Sequence, residues 1–65
     1  MLSFEEIEIG SMWRCTATGH IYVVNGKEPR IIGHDGWVKY HSHEDSEHVF
    51  ESEWKTFVTN HEEVQ

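Results

Sequence analysis

The chain reads as a mainly β protein: a five-stranded, strongly bent antiparallel meander finished by a short C-terminal helical turn. Three observations predict this. A turn-forming residue precedes glycine at Thr18-Gly19, Asn25-Gly26 and Asp35-Gly36. The intervening segments are short and rich in β-branched and aromatic residues, as in His20-Ile21-Tyr22-Val23-Val24 and Trp37-Val38-Lys39-Tyr40. Near the end, Trp54, Phe57 and Val58 fall at i, i+3 and i+4, one apolar face of a helix.

Taken in order, residues 1–8 form a lead-in. Phe4, Ile7 and Ile9 suit either a helical turn or an extended segment. The meander occupies residues 9–51. Asn-Gly and Asp-Gly are strong hairpin signals, because a type I′ turn needs positive φ at both central positions. Cutting at the turns leaves strands over roughly 11–17, 20–25, 29–34, 37–41 and 47–51. Pro29 cannot donate to a ladder, so it should open its strand or lie on an edge. A short helix is expected over 52–58 with Ser52 as its N-cap. The acidic residues 59–65 read as a frayed tail.

At 65 residues the chain holds one domain. A domain this short buries only roughly 60% of the surface its unfolded chain exposes. Its core is therefore thin, and a deep water-excluding catalytic pocket is hard to fit. A binding or inhibitory module is expected rather than an enzyme. Homo-oligomerisation is a further route to burying surface. A single cysteine, Cys15, excludes an internal disulfide framework and points to a reducing cytoplasm. The first residues have neither a basic region nor a long apolar run, so they are not expected to be a signal peptide. No stretch has the length of a membrane span.

The net charge is −7 and it is uneven. Residues 1–40 carry five acids and four bases; residues 41–65 carry seven acids and one base, Lys55. Nucleic acid, whose phosphates need Lys and Arg, is disfavoured as a partner. A protein with a basic surface is favoured, met by Glu44, Asp45, Glu47, Glu51 and Glu53, with residues 62–63 adding charge. Partial DNA mimicry is an alternative. A face roughly 25 Å long would need about fifteen charges, at one per 1.7 Å of duplex. Twelve carboxylates in all cannot supply that from one monomer.

The stretch His41-Ser42-His43-Glu44-Asp45-Ser46-Glu47-His48 concentrates three of the six histidines. If a hairpin pairs position 41 with 48, then His41, His43 and His48 with a carboxylate could hold zinc tetrahedrally. The competing reading is a solvated hairpin loop without a cofactor. Protonation is a second possibility for the same residues. Six histidines of ordinary pKa would add about five positive charges by pH 5.5, nearly cancelling the net −7. Trp13, Tyr22, Trp37 and Tyr40 could line an aromatic groove for a peptide, against the alternative that a thin core needs them inside. Cys15 reads as a small hydrophobe within a strand. No nucleophile turn, Gly-rich loop or P-loop is present.

The order Gly10-x-x-Trp13, Thr18-Gly19-x-x-Tyr22-x-Val24, Gly36-Trp37-Val38-x-Tyr40 and Phe50-x-x-x-Trp54-x-x-Phe57 resembles small uncharacterised SH3-like β-barrel proteins of bacteria and their phages. The likeness covers most of the chain and lies in hydrophobic spacing and turns. It implies an SH3-like barrel and a phage-type host-factor binder or inhibitor. The basic residue those proteins usually carry before the last aromatic segment is replaced here by acids, so no nucleic-acid role follows from the likeness.

Overall fold

The computed structural model describes residues 3–29, 31–33 and 35–64. Its sheet contains β1 (Met12–Cys15), β2 (Ile21–Glu28), β3 (Trp37–Ser42), β4 (Asp45–Glu53) and β5 (His61–Val64). All pairings are antiparallel and the order is β4-β3-β2-β1-β5. One helix, α1 (Trp54–Asn60), connects β4 to β5, and a 3₁₀ turn over Phe4–Glu6 precedes β1. The fold is thus mainly β with a short helix near the C-terminus, as the sequence predicts. β4 and β5 are the two edges, and no pairing between them is recorded among the described residues. No described helix is long and apolar enough to cross a membrane.

The number of strands agrees with expectation, but two of the strands do not. Asn25-Gly26 makes no turn. It lies within β2, where the register slips between Val24 and Gly26, and Lys27 and Glu28 go on to pair with Val38 and Trp37. An inserted residue is here absorbed as a β-bulge, which bends the strand instead of reversing it. Gly26 accordingly lacks the positive φ that a type I′ turn would demand. The expected strand over 29–34 is also missing: Pro29, Ile32 and Gly33 are not in strands, and Ile31 makes only an isolated bridge. Arg30 and His34 lie outside the described residues. The fifth strand comes instead from the expected tail, with His61–Val64 pairing along β1 from Cys15 to Met12. Gln65, Met1 and Leu2 are likewise outside the described residues.

The core lies on one face of the sheet. Phe4, Ile7, Trp13, Val24, Val38, Trp54 and Phe57 are buried, with Tyr40 and Val58 packed against them. The strand period of two explains the sheet members. Val38 and Tyr40 alternate with Trp37, Lys39 and His41, and the register sets Val24 beside Tyr40 and Trp13 beside Tyr22. Sheet side chains alone are too few to close such a core. The lead-in supplies Phe4 and Ile7, whereas Ile9 is exposed. Gly36 is required where the lead-in crosses: its φ is +120°, and a Cβ there would stand 2.8 Å from Phe4 Cε1.

Helix α1 covers the other end with Trp54 and Phe57. Its start differs from expectation. Glu53 is the N-cap residue, and the Ser52 hydroxyl donates to the Glu53 carbonyl (3.4 Å). Ser52 belongs to β4, paired with Val38, so tertiary pairing takes it away from the cap. Carbonyls along α1 gain further partners, two of them, on Phe57 and Asn60, in its last turn. Thr59 Oγ1 donates to Lys55 O (2.7 Å), the His61 ring to Phe57 O (2.9 Å), and Thr16 N–H to Asn60 O (3.0 Å).

Candidate functional site

The His41–His48 segment is not a loop. Ser42 pairs with Asp45, so only His43 and Glu44 turn the β3–β4 hairpin. Beyond that pair the register shifts, and His41 stands opposite Val49 instead of His48. The odd residues in β4 move the imidazoles apart. His41 shares the outer face with Val49, its Nδ1 donating to Ser42 O (2.8 Å). His48 turns to the inner face and packs on Phe50, ring centroids 4.7 Å apart. His43 is exposed in the turn. The geometry needed for a zinc site from His41, His43 and His48 is therefore lost. Among the described residues no three His, Cys, Asp or Glu side chains come together as a metal-holding group.

The acids fare differently. Asp45, Glu47, Glu51 and Glu53 all lie on β4, where every residue except Ser52 is exposed. Glu44 sits beside them in the turn, its N–H donating to Ser42 Oγ (3.2 Å). The described cations are engaged elsewhere. Arg14 pairs with Glu62 (3.0 Å), Lys39 with Glu28 (3.1 Å) and Lys55 with Asp35 (3.2 Å), while Lys27 donates to Phe4 O (3.1 Å). Among the described residues no ion pair neutralises the acids of β4. The charge also has a structural use, since charged side chains on an edge strand discourage pairing with a second sheet.

The aromatic groove needs revision. Trp13 is 3% exposed, edge-on to Phe57 (5.2 Å) with its indole N–H given to Ser11 Oγ (2.9 Å), so it is core and not a ligand surface. Trp37 lies on the outer face, between Glu28 and Glu53 in the register, away from the other three. Only Tyr22 and Tyr40 remain together, with centroids 5.4 Å apart and rings nearly perpendicular. Two residues not expected at this site complete it. Phe50 stacks on Tyr40 (5.5 Å, 24°), and His61 stacks on Phe57 (4.4 Å, 17°) while meeting both tyrosines edge-on. Phe50 faces inward because β4 pairs Val49 with His41; a pairing of 41 with 48 would have turned it outward. His61 depends likewise on pairing, that of β5 with β1.

This aromatic corner walls a cavity of about 320 Å³, lined by Cys15, Thr16, Ala17, Tyr22, Tyr40, Phe50, Asn60 and His61. Burial pushes the Tyr40 hydroxyl above its ordinary pKa, partly opposed by a hydrogen bond with Ser52. The Cys15 thiol moves the other way. Hydrogen bonds from the Thr18 side chain, then the Thr18 and Ala17 backbone, favour the thiolate. A second cavity of similar volume lies over the β1–β2 and β3–β4 turns, between Gly19, His20 and Ile21 on one side and Ser42, His43 and Glu44 on the other.

Comparison with known proteins finds no matching family model, no matching curated protein and no matching solved structure.

Proposed function

We propose that this chain is a non-enzymatic binding module that holds a protein with a basic surface along β4. The observation carrying this reading is the set of four acids, Asp45, Glu47, Glu51 and Glu53, on one exposed edge strand with no ion-pair partner among the described residues. Uncompensated charge of one sign steers an oppositely charged partner and weakens with salt. The sheet order and the short helix before β5 support placing the chain among SH3-like barrels. The single Cys15 supports a cytoplasmic setting. A phage-type binder or inhibitor of a host factor is the role that fits a module of this size and charge.

The test uses the chain as bait against a panel of purified basic and acidic proteins at about 50 and 300 mM salt, straddling the range where screening becomes strong. Basic proteins should be retained at low salt and released at high salt. A Glu47→Gln/Glu51→Gln/Glu53→Gln bait should retain little. Equal retention by both baits, or retention indifferent to salt, would overturn the reading.

A further inference from the structure

β4 has a sheet neighbour on one side only among the described residues. Which of its backbone groups are left over follows from parity. In an antiparallel ladder, directly opposed residues alternate between pairs that exchange both hydrogen bonds and pairs that exchange none. Trp54 N–H donates to Gly36 O (3.1 Å), one step beyond the Trp37–Glu53 pair in the same register. Ser52 and Phe50, at even steps from Trp54, therefore bond to β3. Val49, Glu51 and Glu53 turn their N–H and C=O groups the other way, to the free edge. The far side of β3 agrees. His43 N–H donates to Ile21 O (2.9 Å), so His41, two residues back, aims its backbone at β2 and not at Val49. The open ladder ends at Glu47, whose N–H is taken by Asp45 Oδ1 (3.1 Å).

The side chains along this ladder are apolar in the middle. Val49 is 46% and Phe50 39% exposed, two large apolar residues left uncovered at consecutive positions, one on each face of the sheet. A partner resting on one face would cover one of them. A strand laid beside β4 covers both, and it satisfies the outward backbone groups as well. The charges select what that strand is. A second copy of β4 placed antiparallel about Val49 sets Glu51 against Glu47, and like charges directly opposed destabilise a pair. Lysine or arginine at the same positions reverses the sign. β5 offers no comparable edge, being four residues long with Glu62 already paired to Arg14.

We propose that β4 takes up an extended basic segment of its partner protein as an antiparallel sixth strand. The inference rests on the reading of β4 as the contact edge and specifies how that contact is made. Segment residues opposite Glu53 and Glu51 exchange both backbone hydrogen bonds with them and carry lysine or arginine on the outer face. The residue opposite Val49 is apolar or β-branched, on the same face. The residue opposite Phe50 is apolar and lies on the inner face, where it extends the aromatic corner of Tyr40 and Phe50. The recognised pattern is therefore basic, any, basic, apolar, apolar, read from the residue opposite Glu53. Backbone pairing supplies the affinity and the alternating side chains the specificity.

The experiment titrates the full chain with the capped peptide Lys-Thr-Lys-Val-Val-Thr-Lys at about 50 mM salt, where charges are weakly screened. Two further peptides carry one backbone N-methyl group each. On the third residue, opposite Glu51, the methyl replaces an N–H that faces β4. On the fourth, opposite Phe50, it replaces one that faces solvent. The first methyl should weaken binding at least about tenfold, since it removes a hydrogen bond and leaves a carbonyl unpaired. The second should leave affinity close to that of the parent peptide. Amide exchange of the bound protein should slow most at Val49, Glu51 and Glu53 and change little at Phe50 and Ser52. Equal affinities for the two methylated peptides, or protection without this alternation, would overturn the added strand even where salt-sensitive binding upholds the basic-surface reading. No binding by the parent peptide would overturn it too, and retention of basic proteins by the bait decides the broader reading separately.

Discussion

β4 and β5 are both edge strands, yet β4 runs for nine residues exposed along nearly its whole length, whereas β5 has four residues and is half-buried at both ends. The difference lies in what each edge packs against. The inner face of β5 meets α1 through the stack of His61 on Phe57, and its outer face carries the Arg14–Glu62 pair. β4 meets the core mainly through Phe50 and Ser52, beside Tyr40 and Val38, and otherwise presents acids to solvent. A small domain can leave one edge exposed when the opposite edge is fastened by a helix.

The contrast breaks most visibly at Phe57. It is fully buried and touches Trp13, Tyr40 and His61, joining helix, sheet and β5. Phe57→Ala should cost about 3–5 kcal/mol, much of the total for so small a domain, and urea unfolding would read it as a collapsed midpoint. A loss below about 1 kcal/mol would mean that β5 is not fastened through the helix.

Gly36 tests whether β4 is fastened at its C-terminal end only. Its carbonyl receives the Trp54 N–H (3.1 Å) where β4 passes into α1. Gly36→Ala forces a Cβ against Phe4 at a positive φ and should cost about 1–3 kcal/mol. Amide exchange should then rise around Trp54 and leave the β3–β4 turn, at the far end of β4, little changed.

A smaller effect concerns Tyr40, between the two edges. Burial raises its folded-state pKa. Stability from the protonated hydroxyl is complete below the unfolded-state value near 10 and is lost as pH rises through the folded-state pKa, because the unfolded chain deprotonates first. Tyr40→Phe should therefore unfold less readily than the parent above pH ~10 and follow it below about pH 9. Parallel curves across that range would show that Tyr40 does not titrate differently in the fold.

The smallest stability change is expected on β4 itself. Glu47→Gln/Glu51→Gln/Glu53→Gln should shift stability by no more than about 0.5 kcal/mol while reducing its salt dependence. The pairing of a near-silent stability change with lost partner binding is what separates a contact edge from a structural one.

Much of this was legible in sequence, though unevenly. β3 and α1 fall close to their expected positions, because Trp37-Val38-Lys39-Tyr40 alternates and Trp54, Phe57 and Val58 repeat at helical spacing. The Thr18-Gly19 turn does separate two strands. Asn25-Gly26 misled, since the same dipeptide serves a turn or a bulge depending on what the neighbouring strand offers. Lys27 and Glu28 found partners in Val38 and Trp37, so β2 continued. His61-Glu62-Glu63-Val64 has little strand propensity of its own, and its pairing depends on the free side of β1. The aromatic corner was half visible for the same reason: Tyr22 and Tyr40 follow strand alternation, but Phe50 joins them only through the observed register of β4 and His61 only once β5 forms.

By itself, the sequence determined class, charge asymmetry and the helix, because composition and short-range periodicity are local properties of the chain. Tertiary structure decided the register of β4, the identity of the fifth strand and the meeting of Cys15 with His61. A one-residue change of register exchanges the faces of every side chain beyond it. That parity, set by pairing across the sheet, separated the three histidines expected to converge and brought together two residues 46 positions apart in the chain.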